Sequence, residues 1–215
     1  MKKTVLWAVA LLSLILTSMS CSNNGGAAAP ETEKNAVLQN ILNRKSVRKY
    51  TGRELSEEQI ETLLRAGMAA PSGMNVQPWS FVVVTDREVA ARLVSGRVNS
   101  MYTEAPCLIV VCGETTVMRR PRGESDAEPV VVENDNWTAD CAAVTENILL
   151  AAESMGLGAV WTAAYPYEDR YGLIKEVLGL PDNVLPYAVV PVGYPAEDPA
   201  PKDKWKPEKI HRNRW

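Results

Sequence analysis

The chain predicts one domain of α/β or α+β class, and three observations carry that expectation. Apolar runs of strand length, at residues 81–85, 107–112 and 187–192, are separated by stretches whose apolar residues recur at helical spacing. The two patterns interleave, as a layered fold of helices on a sheet requires. A length of 215 residues with 46% hydrophobic content is enough for one good core.

The first segment lies outside that core. Lys2 and Lys3 precede an apolar stretch at residues 5–16, the layout of an export signal and too short for a confident membrane span. Small and polar residues then lead to Cys21, as in a bacterial lipoprotein signal acylated at that cysteine, although Ser18 stands where such signals usually carry Leu. The expected organisation is therefore a signal over residues 1–21, a Gly/Ala/Asn-rich tether over 22–35 and the domain over 36–215. The corresponding location is the cell envelope on the periplasmic side, with the membrane reached through a lipid at Cys21.

The remaining elements follow in order. Val37, Leu38, Ile41 and Leu42 have helical spacing and run into the cluster Arg44, Lys45, Ser46, Val47, Arg48. Ser56 to Gln59 is a capping box that opens a helix carrying Ile60, Leu63, Leu64 and Met68. A strand at 81–85 and a short helix at 86–94 precede the strand at 107–112. Cys107 and Cys112 sit five apart on that strand, so their side chains should face opposite ways and stay unpaired, as buried free thiols. Residues 113–136 read as polar and irregular, either a lid or an insertion. A long, nearly all-round apolar helix over 137–155 should end at Gly156, followed by a strand near 159–162, a helix near 169–178 and a strand at 187–192. Residues 195–215 have no core-forming period and should lie across another surface, a second subunit for example.

Charge and composition exclude some functions. A net charge of −3 offers no bulk attraction for nucleic acid, and one histidine, His211, excludes a histidine-rich metal site and disfavours a Ser-His-Asp triad. Two segments do point to a ligand. Three cations and a hydroxyl between Arg44 and Arg48 suit a phosphate. The loop Pro71, Ser72, Gly73, Met74, Asn75, Val76, Gln77, Pro78 offers hydroxyls, amides and bare backbone N–H groups, which suit the edge of a flat heteroaromatic ring. Phosphate and polar ring together describe a nucleotide-like cofactor. No Gly-rich dinucleotide fingerprint is present, so a nicotinamide cofactor would visit rather than reside. Arg119, Arg120 and Arg122 could meet such a visitor, but read better as a solvated loop.

Four blocks, in order, give the chain its resemblance to the FMN-dependent nitroreductase family: residues 44–48; 71–79; 147–152 continuing through 156–161; and 191–195 followed by 202–205. The resemblance spans about residues 36–215. It implies an α+β fold of three layers, with a central, mostly antiparallel sheet flanked by helices. It also implies a homodimer with exchanged terminal segments and FMN at the subunit interface. By the same resemblance, Arg44, Lys45, Ser46 and Arg48 would hold the phosphate, ribityl and pyrimidine side, and Lys202 and Lys204 would close over the phosphate. Pro71, Ser72, Gly73, Met74, Asn75 and Gln77 would line the isoalloxazine. Trp161, Thr162 and Ala163 would approach it by backbone, with an amide near N5.

The activity so implied is ping-pong hydride transfer from NADH or NADPH through flavin N5 to a small organic acceptor, such as a nitroaromatic or a quinone. No catalytic acid, nucleophile or metal is expected, because the flavin carries the chemistry. Two departures concern the acceptor: Gly73 replaces a second Ser, and Ala163-Ala164 replaces a place that is acidic in some members. Export adds a tension, since NAD(P)H is cytoplasmic. The alternatives are an exported flavin-binding lipoprotein relaying electrons from a membrane donor, or a flavin-dependent dehydrogenase or dehalogenase-like enzyme.

Overall fold

The computed structural model describes residues 31–94, 99–121, 123 and 126–215. The signal, the acylation expected at Cys21, most of the tether and Arg122 lie outside the described residues. In chain order the elements are α1 (Glu31–Asn43), α2 (Glu57–Met68), β1 (Trp79–Val84), α3 (Arg87–Arg92), α4 (Asn99–Glu104), β2 (Cys107–Glu114), β3 (Thr116–Arg119) and β4 (Val130–Glu133). They continue as α5 (Trp137–Ser154), β5 (Gly158–Ala159), β6 (Thr162–Ala163), α6 (Glu168–Leu178) and β7 (Val184–Gly193). The main sheet runs β1-β2-β7-β5, with β6 also on β7, and each of these pairings is antiparallel.

The central strand shows why the fold has three layers. Cys107, Ile109 and Val111 of β2 pack with α2 and α5 residues such as Leu63, Val144 and Ile148. The alternate residues Leu108, Val110 and Cys112 pack with Ala90 of α3, Tyr102 of α4 and Ile174 of α6. A strand covered on both faces reads as an unbroken apolar run, which is the pattern in the sequence. The two thiols thus face opposite ways, and Cys107, Cys112 and Cys141 are all buried and free.

Local chemistry sets the boundaries. Ser56 Oγ accepts the Gln59 N–H while the Gln59 side chain accepts the Ser56 N–H, completing the capping box. Met68, expected on the apolar face of α2, is 52% exposed at its end. Gly156, at φ 68°, follows α5 in the left-handed conformation that ends helices.

Three expectations need correction. Residues 113–136 are not wholly irregular: β3 and β4 form a two-stranded antiparallel ribbon. Its strands are four residues each, too short to show a period among flanking charges. α4 was not expected, since six residues give no readable repeat. The single strand expected near 159–162 is two short pieces in one register against β7. The gap falls opposite Pro191, which has no N–H to donate, and Val160 N–H reaches Pro191 O only at 3.4 Å.

Candidate functional site

The segment after α1 is fixed by buried Val47, which lies between half-buried Arg44 and Lys45 and exposed Arg48 and Lys49. Val47 is 2% exposed and donates its N–H to Ala159 O at 3.0 Å. It packs onto Gly158, where an added Cβ would lie 2.6 Å from Val47 Cγ1, so only glycine leaves room for it. The buried Tyr50 hydroxyl lies 2.8 Å from Val47 O and 3.1 Å from Pro191 O, and burial holds its phenol well above the usual range. With Val47 and Tyr50 anchored inward, the residues between and before them line the surface.

The C-terminal tail completes that surface. Ala196 N–H donates to Lys49 O at 2.9 Å, and Arg48 N–H to Glu197 Oε1 at 2.8 Å. The chain then crosses the cluster and forms a cavity of about 250 Å³ lined by Arg44, Lys45, Ser46, Arg48, Pro199, Ala200, Lys202 and Lys204. All six residues expected to surround the phosphate side therefore meet in one hollow. No carboxylate among the described residues lines it. Arg44 Nε is 3.4 Å from Glu146, and Lys45 Nζ is 3.2 Å from Glu153 and 3.5 Å from Asp198. Arg48, Lys202 and Lys204 make no ion pair among the described residues. This is a strong field for a phosphate monoester, which carries between one and two negative charges. A neighbouring hollow of about 480 Å³ shares Lys45 but carries Glu153, Glu197 and Asp198, which would repel an anion.

The expected ring loop is a strained turn. Met74, Asn75 and Gln77 have φ of 51°, 56° and 54°, and Met74 is 68% exposed. A left-handed Met or Gln costs about 1–3 kcal/mol and persists only where neighbours over-determine it. Here Ser72 Oγ accepts the Gln77 N–H at 2.9 Å, Ser72 O accepts the Asn75 N–H at 3.0 Å and Gly73 O the Val76 N–H at 3.1 Å. Asp140 Oδ1 accepts the Gly73 N–H at 2.9 Å. The expectation of bare loop amides is thus corrected: those of Gly73, Asn75, Val76 and Gln77 are engaged within the chain. The Ser72 hydroxyl hydrogen and the exposed Asn75 and Gln77 side chains remain for a ligand, although Gln77 Nε2 also donates to Asn75 Oδ1 at 3.2 Å. Pro71 is exposed beside them.

Trp161 to Ala163 lie elsewhere on the sheet. Trp161 is half-buried with its ring 5.6 Å from that of Tyr187, against the α2/α5 core. Thr162 Oγ1 donates to Val189 O at 2.6 Å and accepts from the Tyr102 hydroxyl at 2.6 Å, so its side chain is committed inward. Ala163 O accepts from Arg170 Nη1 at 3.2 Å. Neither these three residues nor residues 71–77 line the cation cavity. Asp140, Tyr102 and Arg170 were not singled out in the sequence; a carboxylate in the first turn of a helix reads there as a partner for the helix dipole. His211 is exposed and stacks on Trp215 at 4.2 Å.

The chain is similar to known proteins in sequence and in fold. A model described as the nitroreductase family matches residues 41–95 and 95–194. A provisionally named NADH dehydrogenase/NAD(P)H nitroreductase of Methanothermobacter thermautotrophicus is 39% identical over 186 residues, 86% of this chain and 91% of that one. The crystal structure of a similarly named protein from Bacteroides thetaiotaomicron is 46% identical with a TM-score of 0.74, covering 84% of this chain and 99% of the other. A provisionally named nitroreductase from Desulfovibrio desulfuricans, solved in complex with FMN, is 27% identical with a TM-score of 0.67, covering 83% of this chain and 97% of that one.

Proposed function

The chain belongs to the nitroreductase family, and from that premise we propose that it is an FMN-dependent NAD(P)H oxidoreductase acting on a small organic acceptor such as a nitroaromatic or a quinone. The observation that carries this reading is the carboxylate-free cavity lined by Arg44, Lys45, Ser46, Arg48, Lys202 and Lys204, whose charge and size fit the phosphate of FMN. FMN, when bound, supplies two-electron chemistry between a nicotinamide and the acceptor.

The protein's residues bind, orient and tune. Arg44 and Lys45 are half-buried, so their bonds to a phosphate are less screened than those of Lys202 and Lys204 on the exposed tail. Arg48, exposed and without an ion pair among the described residues, is placed to favour negative charge on the pyrimidine edge. The Ser72 hydroxyl and the Asn75 and Gln77 side chains give the ring edge its donors and acceptors, with Pro71, Gly73 and Met74 shaping the wall. Trp161 to Ala163 offer backbone to the opposite part of the ring.

One chain leaves these groups apart, and a second copy supplies what is missing in this reading. Val37, Leu38, Ile41 and Leu42 of α1 are 64%, 58%, 48% and 66% exposed, an apolar stripe that a soluble surface rarely leaves bare. Beside it runs a hollow of about 480 Å³ lined by Ile41, Leu42, Arg44, Trp205 and the tail lysines. A homodimer that covers this stripe and exchanges tails would bring the ring loop of one chain to the cation cavity of the other.

Lipidation at Cys21 and a periplasmic location remain part of the proposal on the strength of residues 1–21. No helix among the described residues is long and apolar enough to cross a membrane. Metabolic labelling with an alkyne palmitate, lost in Cys21→Ser, tests the anchor. FMN retention after dialysis tests the site: Arg44→Ala and Lys204→Ala both retaining full flavin would misplace the phosphate.

A further inference from the structure

The Ser72–Gly73 turn is held from behind by a group with no part in the account above. Asp140, in the first turn of α5, is 5% exposed and binds the Gly73 N–H through Oδ1 at 2.9 Å. Its other oxygen, Oδ2, is buried without a hydrogen-bond partner among the described residues. From another side the turn meets Asn136: a Cβ added at Gly73 would lie 2.8 Å from Asn136 Nδ2.

A buried carboxylate with one oxygen unmatched is a costly way to hold an amide. The partial positive charge at the start of α5 offsets part of that cost. Asparagine would still offer the Gly73 N–H an oxygen, without a buried charge. A buried carboxylate oxygen left without a partner is expected where the charge itself has a use.

We propose that Asp140 is a positioning residue of the flavin site, an inference that rests on the reading that the Ser72–Gly73 turn lines the isoalloxazine. Through the Gly73 amide it fixes the turn. Its negative charge, one hydrogen bond behind the ring's wall, opposes the negative charge that reduction adds to bound FMN and so lowers the cofactor's midpoint potential. The field acts through a buried medium, where it is weakly screened.

The test compares the full-length wild type with Asp140→Asn and Asp140→Ala, reading melting temperature without FMN, FMN affinity and the midpoint potential of bound FMN. Asp140→Asn should melt no lower than wild type, keep FMN and show a more positive potential. Asp140→Ala leaves the Gly73 N–H without its acceptor and should bind FMN about tenfold or more weakly. An Asp140→Asn protein with bound FMN at the wild-type potential would overturn the inference while leaving the flavin reading intact. So would a melting temperature for Asp140→Asn that falls as far as that of Asp140→Ala, since the charge would then serve the fold. A folded wild type that takes up no FMN would overturn both.

Discussion

Replacing Arg44 with alanine probes the anion cavity at its least solvated cation. The Arg44 side chain is 15% exposed and borders the cavity of about 250 Å³. A charge-assisted hydrogen bond in such a place contributes about 1.5–3 kcal/mol. Its loss should therefore weaken FMN binding about 10- to 150-fold. The fold should hardly register the change, because Glu146, the ion-pair partner at 3.4 Å, is 46% exposed. Such a pair is worth at most about 1 kcal/mol. Lys204→Ala, on the exposed tail, should cost FMN only about threefold to fivefold. The assay is fluorescence titration of apo-protein with FMN at two salt concentrations, with apo-protein melting recorded alongside. Higher salt should weaken wild-type binding and narrow its lead over Arg44→Ala. An Arg44→Ala protein with unchanged FMN affinity and unchanged salt dependence would refute the placement of the phosphate.

Four other outcomes follow from the geometry. Gly158→Ala would press a methyl against Val47 at 2.6 Å, so it should lower stability by about 1–3 kcal/mol and loosen FMN together, read by denaturant melts and titration. Ile41→Glu with Leu42→Glu should turn the proposed dimer into a monomer with weakened FMN binding in light-scattering chromatography and titration, because the exposed apolar stripe of α1 would then repel its copy. Burial pushes the Cys107, Cys112 and Cys141 thiols from the ordinary 9.0 up to about 12, so they should resist alkylation at pH 8 until the chain unfolds. Burial likewise raises the Tyr102 phenol to about 12. The folded chain then keeps protons that the unfolded chain releases, so stability should be flat at neutral pH and fall above pH 9. The slope is about 1.4 kcal/mol per pH unit for each group fully titrating in the unfolded chain alone, measurable in urea melts from pH 7 to 11.

Much of the fold was legible wherever periodicity and local capping act alone. The capping box at Ser56, the opposed faces of Cys107 and Cys112, and the span of α5 all appear as the pattern dictates. The cation cluster was legible as well, because Arg44 to Arg48 is contiguous and the tail lysines follow a recognisable block. What failed depends on partners distant in sequence. The break between β5 and β6 comes from Pro191 on the neighbouring strand, and the ribbon of β3 and β4 needs both its halves before either reads as strand. The loop amides looked available because their acceptors, Ser72 Oγ and above all Asp140, are visible only after folding. The Thr162 hydroxyl is held by Tyr102 and Val189 and the Ala163 carbonyl by Arg170, commitments that no local pattern announces, while the backbone contact expected of Trp161 to Ala163 stays with the proposal.

The central claim is that this chain binds FMN in a redox-competent form. The visible absorption spectrum of the purified protein, supplied with FMN and then with NADPH or NADH under anaerobic conditions, tests it most directly. The account predicts a bound flavin spectrum that bleaches on addition of the nicotinamide. A folded, colourless protein that fails to take up added FMN would contradict it.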